Sequence, residues 1–195
     1  MSTVRSNSYY DTSGGSNAVL YGVAAPPNSM GLQKRFNEVF EYRNGELFWK
    51  VNTNKSKNLI GKKAGCLSSN TYGSVMVDRK AYCLHRVIFC MHTGLMPPQV
   101  DHINGIRSDN RIENLRAATD CENKFNKKAQ SNNKSGAKNV CWSAAHKRWS
   151  VQVQAQGKRV FSRLFDDFEL AELVAHMARE KFHGSFANHS FKGAV

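Results

Sequence analysis

The run VDHINGIRSDNRIENL, Val100 to Leu115, sets a carboxylate and an imidazole side by side at the end of an apolar segment and follows them with several amides. A loop that only joins two elements needs a few turn residues, so this concentration of Asp, His and Asn points to something polar being held. A carboxylate oxygen and an amide oxygen are hard ligands suited to Mg2+ or a similar cation. A site with few protein ligands leaves positions for water and a phosphate oxygen. A neutral imidazole beside that cation can take a proton from water near pH 7. Such a set suffices for phosphodiester hydrolysis: His102 generates the nucleophile, and the cation stabilises charge on the phosphate and the leaving oxygen.

Positioning these groups requires a strand ending at Val100, from which Asp101 and His102 emerge, and a helix that returns towards them. Thr119 followed three residues later by Glu122 has the form of a capping box, so a helix starts near Thr119 or Asp120 and brings Asn123 back towards Asp101. Upstream, Phe36, Val39 and Phe40 have helical spacing, RNG is a turn, and ELFWKV alternates as a strand does. Two short strands joined near Asp78-Arg79-Lys80 precede a helix through HRVIFCMH that stops at Gly94, with Pro97-Pro98 barring continuation. His85 begins that apolar helix and reads as structural, the alternative being a place near the active site or against a polyanionic partner; His92, His176 and His183 read as structural. Asp109, Asn110 and Arg111 shape the loop, with Asn110 favouring a turn.

The chain of 195 residues is strongly basic, with 28 Lys and Arg against 15 Asp and Glu and a formal charge of +13. That excess is shared by residues 34–120 and 121–195, and it implies a polyanionic partner. Five cysteines without a C-x-x-C pair suggest neither a disulfide framework nor a zinc knuckle, which fits a reducing, intracellular setting. The longest apolar stretches fall far short of about 18 residues, so no membrane span is expected. Residues 1–33, rich in Ser, Asn and Gly, read as a disordered leader. The polar, basic segment 127–136 reads as a linker, with Lys127 and Lys128 as candidate DNA contacts.

The stretch HRVIFCMHTGLMPPQVDHINGIRSDNRIENLRAATDCENKFN resembles the HNH endonucleases, in particular the phage homing endonucleases, whose core is a β-hairpin and a helix cradling one divalent metal. The resemblance implies a nuclease domain over residues 34–126 and one Mg2+ or Mn2+ per active site. It makes Asp101 a metal ligand, His102 the general base and Asn114 the residue that orients that base. Asn123 becomes the second metal ligand, with Asn126 as the alternative. Many relatives have His where this chain has Asn123, so it follows an H-N-N variant.

Beyond the linker, NVCWSAA, RWSVQVQAQ and KRVFSRLF are three strand candidates, and Leu170, Leu173, Val174, Met177, Ala178 and Phe182 recur at helical spacing up to Gly184. On the middle strand Trp149, Val151 and Val153 point one way and Ser150, Gln152 and Gln154 the other, so one face packs on the helix and a polar face stays exposed. Gln can read adenine edges and Arg guanine, and a narrow sheet can enter the major groove. The segment from Ser135 to Asn188, with N-V-x-W, R-W-x-V-x-V, a third strand ending in L-F-D, and F-H-G-x-F-A-N, resembles the ethylene-response-factor type of DNA-binding domain. That resemblance implies a domain over 137–190 and makes Ser143, Arg148, Gln152, Arg159 and Arg163 the DNA contacts. The family's arginines on the first strand are replaced here by Cys141 and Ser143.

The expected fold is α+β: a ββα-metal nuclease module followed by a small three-stranded antiparallel sheet packed on one helix. The expected function is a site-specific, homing-type endonuclease of a mobile element, acting on double-stranded DNA in the cytoplasm of a bacterial or phage-infected cell. It needs no small-molecule cofactor and works as a monomer, with one active site per chain favouring a nick. The competing expectation is a DNA-binding transcriptional regulator whose nuclease site has decayed. Asp101, His102 and Asn114 together argue against it, since a protein that only binds needs none of them.

Overall fold

The computed structural model describes residues 29–53, 58–66, 72–127, 129 and 132–188. Helix α1 (Ser29–Val39) leads into an antiparallel hairpin, β1 (Phe40–Arg43) and β2 (Glu46–Trp49). A second hairpin, β3 (Ser74–Val77) and β4 (Lys80–Cys83), runs directly into α2 (Leu84–Thr93). Residues 29–33, placed by composition in the leader, are therefore the first turns of α1, and Gln33 donates to the Met91 carbonyl on α2 at 3.1 Å. The rest of that leader lies outside the described residues. The turn between β1 and β2 is the Asn44-Gly45 pair, both at positive φ, as a two-residue hairpin turn requires. Gly45 has a second reason to be glycine: a Cβ there would lie 3.0 Å from the Arg111 backbone nitrogen. The α2 helix ends as its sequence suggests, with Gly94 left-handed at φ 71°.

Phe36, Val39, Phe40, Leu47, Val87, Ile88 and Cys90 form one core between α1, α2 and the β1–β2 hairpin. Against α2 lies a third antiparallel pair, β5 (Gln99–His102) and β6 (Leu115–Ala118), joined by the polar loop and followed by α3 (Asp120–Phe125). The strand runs two residues further than Val100, so Asp101 and His102 are its last members, paired with Arg116 and Leu115. At α3 the capping box is complete: Thr119 Oγ1 accepts from the Glu122 amide, and Glu122 accepts from the Thr119 amide. Such a cap is worth about 1 kcal/mol, which matters for a helix of six residues.

The C-terminal part is a three-stranded antiparallel sheet, β7 (Val140–Ser143), β8 (Arg148–Ala155) and β9 (Lys158–Phe165), packed against α4 (Phe168–His183). Val140, Val151, Ala171 and Ala175 form its core with Trp149, Phe161, Phe165 and Phe168 around it. The small side chains Ala171, Ala175 and Ala178 let helix and sheet approach. Leu170, Leu173 and Met177 lie exposed, so the larger residues of the helical repeat are not the buried stripe that their spacing suggests.

The two parts are in contact and not merely tethered. Lys138 donates from Nζ to the Phe125 carbonyl at 2.6 Å and to the Lys127 carbonyl, satisfying the C-terminal end of α3. Burial and the neighbouring Arg179 push this ammonium down to about 8 although two carbonyls accept from it. His183 stacks on Phe125 with centroids 3.9 Å apart.

Candidate active site

The β5–β6 register creates the first feature of the site. Asp101 and Arg116 face each other across the hairpin, and cross-strand partners of opposite charge meet readily there. Arg116 Nε and Nη2 both donate to Asp101 Oδ2, at 2.9 and 2.7 Å, and both side chains are largely buried. Asn126, just past α3, donates from Nδ2 to Asp101 Oδ1 and Oδ2 at 3.1 and 2.9 Å and to the His102 carbonyl at 2.8 Å. Oδ2 is thus held from two sides, while Oδ1 keeps lone pairs beyond its single long contact.

His102 is 3 % exposed, with Nε2 3.0 Å from Asn110 Oδ1. A carbonyl oxygen only accepts, so Nε2 carries the proton and Nδ1 holds the lone pair. Tyr72 stacks over the ring, with centroids 5.8 Å apart and planes 17° apart, and His85 lies at 5.1 Å from the same ring. His85 is therefore at the site and not merely in the core; burial first, with the neighbouring His102 and Arg86 acting in the same direction, pushes it down to about 3, leaving it neutral.

Asn114, expected to orient the base, makes its side-chain hydrogen bonds within the loop. Its Oδ1 accepts from the Asn104 amide, and its Nδ2 donates to Asn104 Oδ1 and to the Asp109 carbonyl at 2.8 Å. It holds the loop between β5 and β6 closed, while the hydrogen-bond partner of the His102 ring is Asn110, four residues earlier. Asn114 ends the 3-10 turn Ile112–Asn114, and its amide faces back across the loop to Asn104 and Asp109. Asp109 reinforces the same loop through Arg111, whose guanidinium keeps this carboxyl well below the usual carboxylate range.

Among the described residues no three His, Cys, Asp or Glu side chains converge as a metal cluster. A cation here must rely on one carboxylate with amide and phosphate oxygens, and the donor set is compatible with that. Asp101 offers Oδ1, with Oδ2 fixed by Arg116 in the way ligating carboxylates are commonly oriented. Asn123 is half-buried on α3 three residues before Asn126, hence on the same side of the helix, and its side chain forms no hydrogen bond among the described residues. Asn126 turns its NH2 towards Asp101, and an NH2 cannot ligate a cation.

On the C-terminal sheet, the pairing divides the expected contacts between two faces. Cys141, Ser143, Arg148, Ser150, Gln152, Gln154 and Arg159 share the face away from α4, because the register sets Ser143 opposite Arg148 and Gln154 opposite Arg159. Arg163 sits opposite Val151, on the helix side. The extra residue Val160 between the pairs Val153–Phe161 and Gln154–Arg159 is the cause: a bulge reverses the alternation, so Arg159 and Arg163 no longer match. Arg148 is engaged by Asp166 at 2.6 and 2.8 Å, and Ser143 by His146. Lys127 is exposed, and Lys128 lies outside the described residues. A groove of about 990 Å3 between α3 and the sheet is lined by Lys124, Lys127, Lys134, Lys138, Trp142 and Gln152 among others.

The antiparallel strand pair presenting Asp-His, its Asn-braced loop and most of the short capped helix lie in a segment whose sequence is similar to known proteins. The chain belongs to the HNH endonuclease family, whose profile matches residues 82–124, the segment from β4 through most of α3. It is a homologue of Protein 3.8 of Escherichia phage T7, with 37% identity over 90 residues that cover 45% of this chain and 72% of that relative. No solved structure gives a significant match. The family is one of nucleases that hydrolyse DNA, and DNA is the partner it implies. No helix among the described residues is long and apolar enough to cross a membrane.

Proposed function

We propose that the chain is a site-specific, homing-type DNA endonuclease that hydrolyses phosphodiester bonds with one divalent cation, Mg2+ or Mn2+, and His102 as general base. The observation that carries this reading is the His102–Asn110 contact beside a fixed Asp101. Asp101 and Asn123 would hold the cation, which when bound supplies Lewis-acid stabilisation of the scissile phosphate and leaving oxygen. The chain's own groups do the rest. Asn110 holds the proton on Nε2, Nδ1 takes a proton from water, Tyr72 and His85 enclose the ring, and Asn114 keeps the loop in register.

The basic groove and the exposed sheet face support a DNA path from the nuclease site to Ser143, Arg148, Gln152 and Arg159, with Lys127 near its start. One site per chain cuts one strand per encounter, so a monomer acting alone nicks. The homology to a phage protein favours action inside the infected bacterium. Supercoiled plasmid incubated with the protein and Mg2+ should yield open circles, and EDTA should prevent this. DNA binding without nicking in either metal would instead mark a regulator.

A further inference from the structure

Both side chains that fix Asp101 are themselves held by residues from the far end of the chain. Arg116 turns Oδ2 of Asp101 inward through Nε and Nη2, and its remaining nitrogen, Nη1, donates to the Ser185 carbonyl at 2.6 Å. The Phe186 ring lies 3.8 Å from the Arg116 guanidinium carbon, a close cation–π contact in a largely desolvated place. Asn126, the other partner of Asp101, receives two contacts from Asn188 Nδ2, at 2.7 Å on its backbone carbonyl and 3.2 Å on its Oδ1. These three residues follow α4 directly, in the 3-10 turn Gly184–Phe186 and the two residues after it.

We propose that Ser185–Asn188 is a positioning element of the nuclease site, holding Arg116 and Asn126 in the orientations that fix Asp101. The inference rests on the reading of Asp101 as a cation ligand.

The physics is one of choice between alternatives. Arg116 has a long, rotamer-rich side chain, and Asp101 alone would leave it free to approach either carboxylate oxygen. The Ser185 carbonyl and the Phe186 face anchor the opposite edge of the guanidinium, which confines it to Oδ2 and leaves Oδ1 for a cation. Asn126 has a comparable ambiguity, because its amide can turn over. With Asn188 donating to Oδ1, the NH2 is directed at Asp101 and the His102 carbonyl, two acceptors. Turned over, it would oppose the carboxylate with its own oxygen. The C-terminal module therefore completes the nuclease site as well as supplying a surface for DNA.

The test uses the full chain carrying Phe186→Leu, Phe186→Tyr or Asn188→Asp. Leucine keeps apolar bulk without the aromatic face, tyrosine keeps the face, and aspartate replaces the Asn188 donor by an acceptor of the same shape. Mn2+ binding is followed by electron paramagnetic resonance with and without a DNA duplex, single-turnover cleavage is measured against Mn2+ concentration, and thermal unfolding confirms folding. Phe186→Leu and Asn188→Asp should weaken Mn2+ binding about 10- to 100-fold, with cleavage restored by raised Mn2+. Phe186→Tyr should stay near the wild type. Folded Phe186→Leu and Asn188→Asp proteins with unchanged Mn2+ affinity would overturn the proposal, as would a Phe186→Tyr protein as impaired as Phe186→Leu. A wild-type chain that binds Mn2+ but cuts no DNA would defeat the nuclease reading alone, since the Mn2+ comparison still decides this one. A wild-type chain that binds no Mn2+ would overturn the inference.

Discussion

Asn110 Oδ1 lies 3.0 Å from His102 Nε2, which makes a loop amide the group that selects the tautomer of the candidate base. With the proton held on Nε2, Nδ1 is the atom available to water.

Asn110→Ala should therefore slow single-turnover cleavage by at least about 10-fold, a share of the 10²- to 10⁴-fold that a positioned base contributes. Asn110→Asp, which keeps an acceptor in place, should be less impaired. Equal rates for Asn110→Ala and the wild type would remove this contact from the mechanism.

Asn123 and Asn126 should separate by phenotype. Asn123→Ala removes a candidate ligand that forms no side-chain hydrogen bond among the described residues, so it should weaken Mn2+ binding with little change in stability. Asn126→Ala leaves Asp101 and the His102 carbonyl short of a buried donor and should cost about 1–3 kcal/mol of stability besides. Denaturant unfolding alongside a Mn2+ titration distinguishes the two. A stability loss for Asn123→Ala as large as for Asn126→Ala would contradict this division.

His85 predicts an acid sensitivity. The unfolded side chain titrates near 6.5, while in the fold burial pushes it down to about 3, so between these values the unfolded chain binds more protons. Its contribution to stability is complete above about pH 6.5 and is lost as the pH falls towards about 3, with a slope of at most about 1.4 kcal/mol per pH unit. Urea unfolding at pH 7.5, 5.5 and 4.5 should show a steeper decline for the wild type than for His85→Gln. Parallel declines would contradict it.

The bulge at Val160 predicts unequal arginines. Arg159→Ala should weaken DNA binding and lower its salt dependence by about one unit of slope for each phosphate no longer neutralised; Arg163→Ala, on the helix side, should do so less. Gln152→Ala should relax base preference at one position by about 1–3 kcal/mol with the salt slope intact. Binding measured at several salt concentrations against base-substituted sites separates them. An Arg163 effect exceeding that of Arg159 would mean that DNA engages the sheet from its α4 side.

What the sequence reveals here follows from how local each feature is. The stop at Gly94, the capping box at Thr119 and the Asn44-Gly45 turn depend on neighbours within a few residues and are legible in the one-dimensional pattern. The Asp101–His102 pair is legible because two chemically demanding residues sit together before an amide-rich loop. Arg116 is not, because its role needs the β5–β6 register that sets it opposite Asp101. Asn110 is recognisable as a turn former but not as the partner of His102, since the loop closes through Asn114 and Asn104. The face of Arg163 is hidden by one extra residue in β9, and the exposed Leu170 stripe by alanines whose small volume, not hydrophobicity, suits the sheet. Ser185 and Asn188 reach Arg116 and Asn126 across separations of 69 and 62 residues, beyond the reach of periodicity.

His102 as the base in a cation-dependent cleavage of DNA is the point on which the mechanism stands. It is tested most directly by single-turnover cutting of plasmid at saturating protein, with Mg2+ or Mn2+, by the wild type and His102→Ala, alongside DNA binding by both. His102→Ala should bind DNA as the wild type does and cut about 10²- to 10⁴-fold more slowly, because the substitution removes a neutral imidazole and no phosphate-binding charge. Undiminished cutting by a folded His102→Ala protein would contradict the mechanism.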